Sequence, residues 1–121
     1  MNTLYEVLER IESLVEPHLP ITTNTFLLPT NVNVDQQFCV VTFSLVDVTN
    51  QSLCDGRVCN YQIIIYIVDS ENANRKGLFA NAELVKALLK EVILLDISET
   101  GLFLNNKEAL QLRGTLQIGV V

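Results

Sequence analysis

The sequence predicts an α+β fold: a mostly antiparallel sheet with a long β-hairpin and two amphipathic helices packed on one face. Three observations predict it. Tyr61–Val68 reads Y-Q-I-I-I-Y-I-V, with no Gly, Pro or charge, and a run this rich in β-branched and aromatic residues favours a strand. Because it is apolar on both faces, it asks for cover on both sides, as a central strand does. Two stretches, Leu4–Glu16 and Phe79–Leu94, repeat apolar residues at helical spacing. The last stretch, Leu110–Val120, alternates apolar and polar residues as a half-buried strand would. Laying helices on one face of an antiparallel sheet buries both amphipathic stripes at once.

The bulk numbers bound the rest. A chain of 121 residues, 49% hydrophobic, is expected to form one domain, 1–121, with a real core. Its longest apolar run, Ile63–Val68, is far short of the ~20 residues of a membrane-spanning helix. Acidic residues come early, at Glu6 and Glu9, with no apolar signal core. The expectation is therefore synthesis in the cytoplasm without export, and no membrane. A net charge of −6 with only eight Lys and Arg is the wrong footprint for gripping phosphate backbones. Three cysteines, Cys39, Cys54 and Cys59, are an odd number and read as reduced thiols.

Taken in order, the first helix places Leu4, Val7, Leu8, Ile11, Leu14 and Val15 on one stripe. Thr3 and Glu6 match a capping box, and Pro17 and Pro20 stop the helix. Between Ile21 and Gln37 the pattern weakens: Thr25–Leu28 is a candidate short strand and Thr30–Gln37 a loop. Phe38–Val48 restores β character and pairs antiparallel with the Tyr61 strand. Asp55-Gly56 marks the turn, and the tip, Gln51–Gly56, projects beyond the sheet with Leu53 exposed on it. Asp69–Gly77 is polar and reads as a mobile connector. The second helix buries Leu84, Val85, Leu88, Leu89 and Val92 and leaves Glu83, Lys86 and Lys90 wet. Asp96–Lys107 reads as irregular, broken by Gly101, with Leu102–Leu104 a candidate short strand. In the final strand Leu110, Leu112, Leu116, Ile118 and Val120 face one way, and Gly114 marks a bulge or a close approach.

No pattern announces a reaction. The only histidine, His18, sits between Pro17 and Leu19 and reads as a helix-end residue rather than a general base. Three Cys and one His would all have to converge to supply the four ligands of a structural zinc site. The carboxylates Asp47, Asp55, Asp69 and Glu71 lie near strand ends, where an acid–base pair is conceivable, but such charges more commonly solvate turns and blunt edges. No phosphate-cradling glycine motif occurs. Arg75-Lys76-Gly77 reads as solvated loop, with a partner contact second. The sequence thus points to no enzyme, no metal and no cofactor, and what remains exposed suits an interaction protein.

In element order and style the chain resembles the tail-terminator (tail-completion) proteins of long-tailed phages and prophages, some described as minor capsid proteins. The resemblance runs through L-Y-E-V-L-E-R-I-E-S-L-V, the hairpin F-C-V-V-T-F-S-L-V and Y-Q-I-I-I-Y-I-V, the helix A-E-L-V-K-A-L-L-K-E-V, and the final L-Q-L-R-G-T-L-Q-I-G-V. Gln37-Phe38 stands where many members have a proline entering the first hairpin strand. The resemblance implies a structural virion protein located at the tail or neck. It implies a homo-oligomer, a hexameric ring, that caps the tail tube and offers a surface to the head–tail connector protein. DNA would pass through the lumen without specific nucleic-acid binding, which an acidic ring favours. Subunits would meet through sheet edges and two projecting loops, giving Leu53, Arg57, Arg75 and Lys76 as candidate interface residues. The alternatives are a small cytosolic ligand-binding domain or enzyme, another neck or connector protein, or a regulatory or chaperone-like adaptor.

Overall fold

The structure is a computed structural model describing residues 3–23, 35–51, 56–90, 92 and 95–120. Helix α1 (Leu4–Val15) is followed by β1 (Ile21–Thr22), β2 (Phe38–Gln51), β3 (Gly56–Val68), α2 (Arg75–Leu89), β4 (Leu95–Leu104) and β5 (Lys107–Val120). The strands form one five-stranded sheet in the order β1-β2-β3-β5-β4. Every pairing is antiparallel except the short β1–β2 contact, where Ile21 and Thr22 run parallel to Cys39 and Val40. This is the expected α+β architecture, with β3 literally in the middle. Only one side of β3 is fully covered, however. Ile63, Ile65 and Ile67 are buried with the helices, whereas Gln62, Ile64 and Tyr66 on the other face are half-buried.

The core follows from the periodicities. α1 buries Val7, Leu8, Ile11 and Val15, and α2 buries Leu78, Ala82, Val85 and Leu89. Both stripes join Cys39 and Val41 of β2, the three isoleucines of β3, and Leu110, Leu112, Leu116 and Ile118 of β5 in one cluster. At about 1.5–3 kcal/mol for each fully buried aliphatic side chain, these layers supply the main force holding sheet to helices. Two devices fix α1 at its start: the Thr3 hydroxyl accepts from Glu6 N (3.2 Å) and Glu6 Oε1 accepts from Thr3 N (3.4 Å), the reciprocal capping box read from sequence.

Several expectations are corrected. α2 starts at Arg75, not Phe79, and ends at Leu89, not Leu94. Its N-cap is Asn74, whose Oδ1 accepts from Gly77 N (3.0 Å). Gly77 is no loop residue: a Cβ there would come within 2.6 Å of Asn74 Nδ2, so glycine makes room for the capping side chain. Asp96–Lys107 is not irregular; most of it is β4 and the β4–β5 turn. Asn105 and Asn106 have φ of 49° and 65°, the double left-handed geometry of a two-residue hairpin turn that asparagine tolerates. The β4–β5 register shifts between Leu95 and Ser98, opposite Gly114, so that glycine does mark a bulge. The hairpin arms also run further than expected, pairing out to Gln51 and Gly56. Thr25–Leu28, Leu53, Cys54 and Asp55 lie outside the described residues.

Candidate interaction surface

The Asp69–Gly77 connector is anchored rather than loose. Asp69 and Ser70 are buried, Asp69 to 3% exposure, which overturns its reading as a solvated turn carboxylate. Asp69 Oδ1 accepts from Gln37 Nε2 (2.8 Å) and Ser70 N (2.8 Å), and Oδ2 accepts from Asn74 N (3.1 Å). Gln37 Nε2 also donates to the Asn74 carbonyl (2.9 Å), and Asn81 donates to Gln37 Oε1. A buried carboxylate is tolerated when N–H donors surround it. The node ties together the residue before β2, the end of β3 and the first turns of α2. It fixes the base of the hairpin, and among the described residues no buried side-chain nitrogen or oxygen lacks a hydrogen-bond partner.

The other end of the hairpin is different. On β2, Phe43 pairs with Ile63, Leu45 with Tyr61 and Val48 with Cys59, and all three lie on the side of the sheet that the helices cover nearer the base. Cover runs out toward the β2 edge: Phe43 is 45% exposed, Leu45 53% and Val48 47%, whereas Ile63, Leu116 and Ile118 at the same level are buried. Val46, the extra residue of a β-bulge between Leu45 and Asp47, is 58% exposed. Beyond Val40 the outer edge of β2 has no strand partner among the described residues, and neither has the outer edge of β4. An exposed apolar edge strand is a template for another chain, and proteins normally blunt such edges with charge or proline. Here only Asp47 does so, its side chain held by Asn60 on the opposite face.

The candidate interface residues are placed as follows. Arg57 is exposed on β3 near the tip, paired in register with Asn50 and Val120. Arg75 and Lys76 are exposed in the first turn of α2. Arg75 binds Glu108 Oε2 (3.2 Å) and lies 5.3 Å over the Phe79 ring, so it braces α2 against β5. The structure does not bring Arg57 together with the Arg75–Lys76 pair by any contact. Composition did not flag the apolar arm, because apolar residues on an edge strand are indistinguishable in sequence from apolar residues on a central one, and Phe43, Leu45 and Val48 lie on the edge side of buried Ile63, Leu116 and Ile118.

Among the described residues no three His, Cys, Asp or Glu come together in a way that could hold a metal, and no helix is long and apolar enough to cross a membrane. Cys39 and Cys59 are free thiols. Burial pushes the Cys39 thiol up to about 12, leaving essentially no thiolate near neutrality, and the thiolate is the nucleophile. His18 is exposed just past α1.

No family model matches the chain, and no curated protein matches it. Among solved structures it is similar to the PVC sheath/tube terminator of an extracellular contractile injection system in its extended state, with a TM-score of 0.40 and 13% identity. That match covers 100% of this chain and 58% of the other, so this chain spans little more than half of that protein's length. A likeness at that level transfers no residue role.

Proposed function

We propose that the chain is a structural tail-terminator protein. Identical subunits, six as the family resemblance implies, close into a ring at the head-proximal end of a tail tube and join it to the head connector, with DNA passing through the lumen. The observation that carries this reading is the β2–β3 arm. A bulged hairpin exposes Phe43, Leu45, Val46 and Val48 on a strand whose edge beyond Val40 has no strand partner among the described residues, and such a surface suits cover by protein. A head-to-tail contact that closes on itself generates a ring. Leu53, Arg57 near the end of the arm, and Arg75 and Lys76 at the start of α2 serve as contact points to neighbours. The reading is tested by light scattering after gel filtration across salt and concentration, followed by negative-stain microscopy with isolated tail tubes. Rings alone or on tube ends are expected. A chain that stays monomeric in both settings defeats the proposal. Leu53→Asp is expected to weaken assembly and leave the far-ultraviolet circular dichroism unchanged.

A further inference from the structure

The exposed arm ends in a charge, Arg57, that no described carboxylate pairs with. Arg57 lies on the same face as Cys59, Tyr61, Phe43, Leu45 and Val48 and is exposed, and its side chain has no hydrogen bond or ion pair to a described residue. The carboxylates on that face, Glu99 of β4 and Glu108 of β5, are engaged by Lys86 and Arg75 of α2, and Asp47 sits on the other face, beside Asn60. Whatever covers the strip must therefore bring aromatic or apolar surface together with negative charge. α1 presents both. Tyr5, Glu9, Glu12 and Glu16 recur three or four residues apart and so share one stripe of the helix. Tyr5 is 70% exposed, and none of the three carboxylates has a partner among the described residues. The two surfaces complement each other in charge and apolar character, an apolar strip ending in a cation against an aromatic followed by acids.

We propose that the hairpin arm of one copy docks on α1 of the next, with Phe43, Leu45 and Val48 against Tyr5 and with Arg57 among Glu9, Glu12 and Glu16. Two different patches meet, so the contact is head-to-tail and repeats from copy to copy. This deepens the self-assembly proposed above and rests on it. The test uses the full chain carrying Cys54→Ser and Glu9→Cys, with half-buried Cys59 as the second thiol and a short bismaleimide as the probe. A ladder of covalent oligomers is expected, and it disappears with Cys59→Ser. In parallel, Arg57→Glu and Glu9→Arg each weaken self-association about tenfold in sedimentation velocity, and the double reversal in one chain restores it. Wild-type assembly in Arg57→Glu, with no Cys59-dependent ladder, would overturn the docking while leaving the ring standing. Cross-linking of the arm to added tail tubes, and not to other copies, would overturn it too. A chain monomeric under every condition would sink both.

Discussion

Replacing Asp69 with alanine removes the acceptor on which the base of the hairpin converges. Three N–H donors lose their partner: Gln37 Nε2, Ser70 N and Asn74 N. They are not equally harmed. Gln37 Nε2 keeps the Asn74 carbonyl, and Asn74 is exposed enough for water to reach it. Ser70 is buried, and its amide is left without an acceptor. A stranded buried donor costs about 1–3 kcal/mol, and a hydrogen bond to a charged acceptor contributes about 1.5–3 kcal/mol. Relief of the carboxylate's own desolvation offsets part of this. The net expected loss is about 2–4 kcal/mol, a large share of the ~5–15 kcal/mol typical of a domain. Urea unfolding followed by circular dichroism measures it. With m about 1–3 kcal/mol/M, the midpoint falls by roughly 1–2 M. Asp69→Asn keeps one acceptor oxygen and should lose about half as much. A midpoint for Asp69→Ala indistinguishable from wild type would refute the idea that this node anchors the fold.

Other outcomes follow from the same structure. Ile65→Ala, at a site 1% exposed, should cost about 2–5 kcal/mol in the same unfolding measurement. Leu45→Asp should leave that midpoint within about 0.5 kcal/mol of wild type, because its side chain is half exposed, yet should abolish self-association on gel filtration. Gly77→Ala should destabilise by about 0.5–1 kcal/mol despite alanine's helix propensity, because the new Cβ displaces the Asn74 cap. Cys39 makes stability fall at alkaline pH. Its folded-state value is raised from 9.0 to about 12, so the unfolded chain releases the proton first. Its contribution is intact below about pH 9 and is lost as pH rises toward 12. Cys39→Ala should flatten that alkaline slope in unfolding curves taken across the range.

Local patterns settled the elements whose neighbours in sequence are also their neighbours in space. The α1 stripe, its Thr3–Glu6 cap and the alternation of Leu110 through Ile118 needed nothing but periodicity. The pairing of Phe38–Val48 with Tyr61–Val68 needed only two β-prone runs and a turn between them. Only the Leu102–Leu104 end of β4 is legible in the sequence, because the alternation before it is broken by a bulge and by Gly101, and its strand character comes from pairing with β5 rather than from propensity. The start of α2 was obscured by Gly77, which looks like a breaker until Asn74 is seen folded over it.

What the chain alone determined is an apolar inventory large enough for two helical stripes and a central strand, together with the hairpin that holds them. Only the tertiary structure decided where that inventory goes unspent. Asp69 reads as a turn residue, but a long-range donor from Gln37 and the local amides of Ser70 and Asn74 make it a buried anchor. Phe43, Leu45 and Val48 lie level with buried Ile63, Leu116 and Ile118, but on the β2 edge of the sheet they are left exposed. Hydrophobicity is a property of a residue, whereas burial depends on which distant surface arrives to cover it. On this hairpin that surface belongs to another molecule in the proposed assembly.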